Sequence, residues 1–223
     1  VGMMVVNNEE EMNLYLKNSE ISSCYPVVIT KFIKYAKEIE VDGVAHWGSI
    51  LAMGISEHVE NAGVHSGDAT LVFPAMDLTP ITRDRIELIV RRITQALSLT
   101  GPFNIQLMAK DDKLKVIECN VRVSRSFPLV SKTSGTNLIY LATEIMCKSP
   151  NQMEIWEKQR GKLHLDCNRV GVKVPQFSHH RLEGANVILG VEMTSTGEVA
   201  GFGENKYEAF MKALWGTGMM PKI

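Results

Sequence analysis

The chain has 223 residues, 45% of them apolar and 22% charged, enough to bury roughly 70% of the surface its unfolded form would expose. Its 24 Lys and Arg against 25 Asp and Glu leave a net charge of -1, so no overall field steers it onto nucleic acid or an anionic membrane. No apolar stretch approaches the roughly 20 residues of a bilayer span, and Cys24, Cys119, Cys147 and Cys167 are spaced as neither a CxxC pair nor a disulfide frame, which predicts reduced thiols in a cytoplasmic setting.

In chain order, the start at Val1 followed by the acidic run Asn7 to Glu11 reads as a piece of something longer, and Glu9 to Lys17 predicts a short helix. Tyr25-Pro26 interrupts the pattern, and Val27 to Ile33 predicts a buried strand. From Lys37 the alternation of Glu38, Glu40 and Asp42 with Ile39 and Val41 predicts a strand with one carboxylate-rich face. Ile50 to Ile55 predicts a third strand, and Ser56 to Asp68, with two Gly, two His and several acids, a loop whose backbone N–H groups can approach phosphate. Arg83 to Leu99, capped by Thr82 and ended by Gly101-Pro102, predicts the clearest helix, with Ile86, Ile89 and Ile93 on its apolar stripe.

Phe103 to Ala109 and Leu114 to Val123, joined by Lys110-Asp111-Asp112-Lys113, predict a β-hairpin, and Leu138 to Cys147 a helix. Lys148 to Asn168 reads as a connector. Strands are expected at Val170 to Val174, Ala185 to Val191 and Glu198 to Phe202, with a closing helix over Tyr207 to Leu214. The changing periodicity describes a mixed α+β domain without repeats.

A carboxylate on a packed strand is costly unless its charge is compensated, which singles out Glu118. With Asn120 two residues on, it offers hard oxygens suited to Mg²⁺ bridging phosphates; the alternative is an exposed edge face with a Glu/Arg pair. Hairpin register decides whether Gln106 joins them. A three-residue loop sets Gln106 opposite Glu118, whereas a two-residue loop puts them on opposite faces. Arg122 and Arg125 follow, suited to forked bonds with phosphate. His58 and His65 lack a third ligand at zinc spacing.

The runs Glu57-His-Val-Glu-Asn-Ala-Gly-Val-His-Ser-Gly-Asp68 and Val116-Ile-Glu-Cys-Asn-Val-Arg-Val-Ser-Arg-Ser-Phe-Pro128, with Val130-Ser-Lys-Thr133 and Met193-Thr-Ser-Thr-Gly-Glu-Val199, resemble the ATP-grasp module in the C-terminal half of carbamoyl-phosphate synthase. The wording is most similar to the multifunctional pyrimidine-synthesis proteins of animals. The resemblance implies an α+β ATP-grasp fold, two β-subdomains sandwiching the nucleotide, here N-terminally truncated, with residues 1–68 as part of the nucleotide-hinge subdomain and 69–223 as the metal and phosphate subdomain. It implies adenine reading by the backbone near Lys31 and Ile33, ribose binding by Glu38, nucleotide contacts from Gly63, Val64, His65 and Ser66, Mg²⁺ or Mn²⁺ ligands in Gln106, Glu118 and Asn120, and phosphoryl contacts from Arg122 and Arg125. His58 and Glu60 fall in a stretch that resembles a K⁺-binding loop, although Asn61 and Ala69 stand where bacterial members carry Gln and Ser.

The implied function is ATP-dependent phosphorylation of carbamate in pyrimidine biosynthesis, by a site closed over labile intermediates. The implied partners are ATP, carbamate and the other domains of a parent synthase, namely a glutaminase, the first ATP-grasp half and an allosteric domain, with neither nucleic acid nor membrane. Two rival readings are a non-catalytic ATP-grasp fragment acting as scaffold and a related ATP-grasp carboxylase or ligase.

Overall fold

The computed structural model describes residues 3–19, 21, 24–147, 164–165, 167–178, 184 and 187–218. Its centre is a seven-stranded antiparallel sheet built from β1 (Lys37–His46), β2 (Ser49–Asn61), β3 (Leu71–Phe73), β4 (Gly101–Lys110), β5 (Lys113–Asn120), β6 (Val170–Gln176) and β7 (Gly197–Gly203), in the order β5-β4-β1-β2-β3-β6-β7. Among the described residues the helices are α1 (Glu9–Asn18), α2 (Pro80–Ala96), α3 (Phe127–Ser134), α4 (Leu138–Cys147) and α5 (Lys206–Gly216).

Strand alternation decides what each face does. Ile39 and Val41 of β1, Met53 and Ile55 of β2, and Phe103, Ile105 and Leu107 of β4 point to one side, where Ile86 and Val90 of α2 pack on them. Val72, Val170, Val172 and Val174 share a core with Ala209 and Ala213 of α5. On the opposite side, Val44, Ala52, Leu71 and Phe73 meet Phe127 and Val130 of α3 and Leu138 and Leu141 of α4. Of the intervening positions, Glu38 and Glu40 of β1 and Asn104 and Gln106 of β4 floor a cavity, whereas Asp42 of β1 is fully buried among polar partners. The carboxylate-rich face expected of β1 is therefore present, and it is largely buried.

Helix ends follow local chemistry. The Thr79 hydroxyl accepts from Thr82 N and Pro80 occupies the first turn, so α2 starts one turn before the expected Thr82 cap, and Gly101 and Pro102 open β4 instead of ending the helix. The Asn205 side chain accepts from Tyr207 N and Glu208 N at the start of α5. Asn205→Ala should cost about 1 kcal/mol, read as a melting temperature lowered by roughly 2–4 °C; an unchanged melt would show that the cap contributes nothing.

Three further expectations fail. Residues 26–33 form no strand, and Val28 and Ile29 are exposed; an aperiodic apolar run does not identify what it packs against, and this one lines a cavity wall. Ser56 to Asn61 is the second half of β2, not loop, because Glu57 and His58 have partners inside: Glu57 binds Lys37 Nζ at 2.8 Å and His58 binds Glu40 at 3.1 Å. The expected strand at 185–191 is irregular at 187–191, while 185–186 lie outside the described residues, as do 148–163 and 166 of the expected connector. Helix α3, absent from the sequence reading, carries Pro128 in its first turn and ends at Gly135 with φ 74°.

Candidate active site

The β4–β5 hairpin turns on two residues, Asp111 and Asp112, both with left-handed φ (51° and 56°), and pairs Lys110 with Lys113. A uniform ladder from that turn would put Gln106 and Glu118 on opposite faces. Instead Leu107 pairs with Val116 and Gln106 with Glu118, so Ile117 is an extra residue, a β-bulge. The bulge restores parity: Gln106, Glu118 and Asn120 share the cavity face, while Leu114 and Cys119 pack into the core on the α2 side. Leu114 and Val116 thus do not share a face with Glu118, contrary to uniform alternation along β5. Asn120 Nδ2 donates to Glu118 Oε1 at 2.7 Å, and Gln106 Nε2 donates to Ser66 Oγ at 3.1 Å.

The cavity has a volume of about 980 Å³. Its walls include the residues the resemblance implies for nucleotide, metal and phosphoryl contacts: Lys31 and Ile33 on the 26–33 segment, Glu38 on β1, Gly63, Val64, His65 and Ser66 after β2, Gln106 on β4, Glu118 and Asn120 on β5, and Arg122 and Arg125 on the following loop; His58 and Glu60 are not among the lining residues. Burial, reinforced by the charges of Glu40 and Glu118 and opposed by His58, raises the Glu38 carboxyl above the usual carboxylate range.

The 62–68 loop is held from beneath. Ala62 N donates to Ala36 O at 2.7 Å, His65 N to Gly190 O at 2.8 Å, and Gly67 N to His65 Nδ1 at 3.0 Å. Gly63 has φ 112°, and a Cβ there would lie 2.7 Å from the Phe32 ring, so this position is Gly by both conformation and contact. Asp68 is fully buried; its carboxylate accepts from Thr194 N and Oγ1 and Ser195 N at 2.8–3.0 Å. Burial raises its pKa, but these hydrogen bonds outweigh burial and leave it below the usual value. Asp68→Ala should orphan these donors and cost about 2 kcal/mol, visible as a lower urea midpoint; an unshifted midpoint would show that the 194–195 segment holds without it.

Beneath the arginines lies a polar network that sequence reasoning did not assemble. Asp42 Oδ1 accepts from Asn104 Nδ2 at 2.9 Å and from Ser124 Oγ at 2.6 Å. Ser126 Oγ lies 2.5 Å from Asp42 Oδ2 and 2.8 Å from Glu40 Oε2, yet a hydroxyl carries one proton. Both contacts are satisfied when Asp42 is protonated and donates to Ser126, which donates to Glu40. Burial first, and the Glu40 charge second, push Asp42 up to about 7, in keeping with that proton. Burial pushes Glu40 up as well, but its bond to His58 and the charges of His58 and Lys173 bring it net below its usual value. Ser124 and Ser126 flank Arg125, so this network ties the arginine-bearing loop to β1.

Lys173 on β6 also went unremarked, although an ammonium among Val170, Val172 and Val174 breaks its strand's apolar pattern. It is 4% exposed, and Nζ donates to Ser66 O at 3.0 Å and Gly67 O at 3.5 Å. As for metals, no three His, Cys, Asp or Glu side chains cluster to hold an ion among the described residues. Gln106, Glu118 and Asn120 bring one carboxylate and two amide oxygens, a hard-oxygen partial set that suits Mg²⁺ completed by water and phosphate. His58 is buried against Glu40, and Glu60 Oε2 accepts from Thr70 N at 2.6 Å. No helix among the described residues is long and apolar enough to cross a membrane.

The model of the family described as carbamoyl-phosphate synthase L chain, ATP binding domain, matches residues 1–150. The chain is 57% identical over 224 residues to the multifunctional protein CAD of Squalus acanthias, covering 100% of this chain and 10% of that protein. It is 54% identical over 223 residues to the multifunctional protein URA2 of Saccharomyces cerevisiae, covering 99% and 10% respectively. The chain thus spans about a tenth of the length of these relatives. Among solved structures, the biotin carboxylase–ATP-analogue complex of Campylobacter jejuni superposes with a TM-score of 0.57 at 16% identity, over 82% of this chain and 46% of that one. That likeness shows the fold, which is ATP-grasp.

Proposed function

The chain belongs to the family of the carbamoyl-phosphate synthase L chain ATP-binding domain, and from that premise we propose that its cavity phosphorylates carbamate with ATP as one module of a larger pyrimidine-synthesis protein. The observation that supports this most is the bulge at Ile117, which sets Gln106 opposite Glu118 and beside Asn120 in the cavity that also receives Arg122 and Arg125. In this reading the backbone at Lys31 and Ile33 reads the adenine, Glu38 binds the ribose, and Gly63 to Ser66 contact the nucleotide. Residues 1–68 then supply the nucleotide side of the site and 69–223 the metal and phosphate side.

Phosphoryl transfer rests on positioning and charge neutralisation, so no covalent nucleophile is needed. A carbamate oxygen attacks the γ-phosphorus, the bond to the β-phosphate oxygen breaks, and carbamoyl phosphate and ADP result. Arg122 and Arg125 hold the phosphoryl oxygens, and Ser124 and Ser126 fix Arg125 through Asp42 and Glu40. Mg²⁺, when bound by Gln106, Glu118 and Asn120, neutralises charge on the phosphates. K⁺ near His58 would share that side chain with Glu40. Carbamate, the glutaminase and the remaining synthase domains follow as partners from the parent reaction.

The test is ATP formation from MgADP and carbamoyl phosphate, which needs no glutaminase. ATP from carbamoyl phosphate and not from acetyl phosphate supports the proposal. A cooperatively folded chain that binds no nucleotide would replace it with the scaffold reading, and bicarbonate-dependent ATPase activity stimulated by biotin with the carboxylase reading.

A further inference from the structure

A buried ammonium is costly unless charge or hydrogen bonds compensate it. Lys173 has three N–H donors; two reach the carbonyls of Ser66 and Gly67, and among the described residues Nζ has no ion-pair partner. The side chain nonetheless forms part of the cavity wall, in company with Arg125, Asn104 and Ser126. Of the carboxylates around it, Glu40 is already bound by His58, Asn104 and Ser126, and Glu60 by Thr70 N. Burial pulls the Lys173 pKa down and Arg125 adds to that, while Glu40, Glu198 and Glu60 oppose it. A desolvated cation with a spare donor at a cavity wall is arranged to meet an anion.

We propose that Lys173 is an oxyanion-binding residue of this cavity, holding the Ser66–Gly67 backbone with two N–H groups and offering the third to an oxygen of the transferred phosphoryl group or of the carbamate beside it. The inference rests on the reading of the cavity as a nucleotide site and adds to it a residue that neither the motifs nor the resemblance singled out. Its chemistry differs from that of Arg122 and Arg125: a compact ammonium anchored on β6 acts as a point charge, whereas a guanidinium acts as a fork. It also links the nucleotide loop and the incoming anion through one atom.

The test is equilibrium binding by calorimetry of MgADP, of a non-hydrolysable MgATP analogue, and of bicarbonate as a carbamate isostere on the analogue-saturated chain. Three variants are compared, namely Lys173→Met, Lys173→Gln, which keeps a donor for Ser66 O without the charge, and Lys173→Arg, which keeps the charge. Under the proposal, Gln leaves MgADP affinity within about twofold of wild type, Met lowers MgADP affinity only by the loop bonds it gives up, a baseline against which its losses for the other two ligands are read, and Arg retains most binding throughout. A tenfold or greater loss for the MgATP analogue assigns the third donor to the phosphoryl group; the same loss confined to bicarbonate assigns it to carbamate. Equal losses for MgADP and the other two ligands in Met, recovered in Gln, would reduce Lys173 to a loop support and overturn the proposal. So would wild-type affinities in all variants. Wild-type chain that binds no nucleotide would overturn the nucleotide-site reading itself, a distinguishable failure.

Discussion

Replacing Glu118 with Ala should lower ATP formation from carbamoyl phosphate and MgADP by about a thousandfold or more, equivalent to roughly 4 kcal/mol of barrier. Glu118 is the one carboxylate of the Gln106–Glu118–Asn120 set, and amide oxygens alone hold a divalent cation weakly. The loss should come with an unchanged fold. Glu118 is exposed on edge strand β5, and its recorded hydrogen bond is to Asn120, so stability should move by less than about 0.5 kcal/mol. Steady-state rates beside a thermal melt check both halves. A variant with near-wild-type turnover would remove Glu118 from the proposed metal site, whatever the melt shows.

The second large effect is on stability and concerns pH. Asp42 rises from 3.8 to about 7 in the folded protein, first through burial and then through Glu40. Between those values the folded state holds a proton that the unfolded state has released, so stability falls as pH rises and the loss is complete above about 7. Integrated over that window, the Asp42 contribution is on the order of 4 kcal/mol. Glu40 works in the opposite sense: its lowered pKa stabilises the fold above its unfolded value, and that stability is lost on acidification. The informative quantity is therefore Asp42→Asn minus wild type, which removes Asp42 alone. Urea unfolding at pH 4 to 8 should show this difference shifting in favour of Asp42→Asn by up to about 4 kcal/mol as pH rises, with most of the change between pH 4 and 7. Parallel pH profiles would mean that Asp42 ionises normally and that Ser126 bonds only one of the two carboxylates.

Much of this was legible in the sequence. The period-two alternation of Glu38, Glu40 and Asp42 marks the polar face of β1, from which Glu38 and Glu40 floor the cavity, because a strand offers only two faces, and the hairpin composition marks β4 and β5. What was not legible is register. Asp111 and Asp112 suit a two-residue turn with left-handed φ, and by itself that turn separates Gln106 from Glu118. The bulge at Ile117 reverses the outcome, and no residue type announces a bulge there. Similarly, Val27 to Ile33 has strand composition, but its side chains line a cavity rather than a sheet face. The partners of Ser124 and Ser126 stand 82 and 86 residues away, on β1, a separation that local pattern cannot bridge. Lys173 was visible as a cation in an apolar strand; its meaning required the position of the 62–68 loop above it.

A metal-dependent nucleotide site on the cavity face of the sheet requires ATP binding to depend on both Mg²⁺ and Glu118. The decisive measurement is calorimetric titration of the chain with ATP, with Mg²⁺ and then with EDTA in its place, repeated on Glu118→Ala. Binding should be saturable with Mg²⁺ and weaken at least tenfold either on removing the metal or on removing Glu118, with no further metal effect in the variant. ATP binding that is indifferent to both Mg²⁺ and Glu118, in a chain that melts cooperatively, would contradict that requirement.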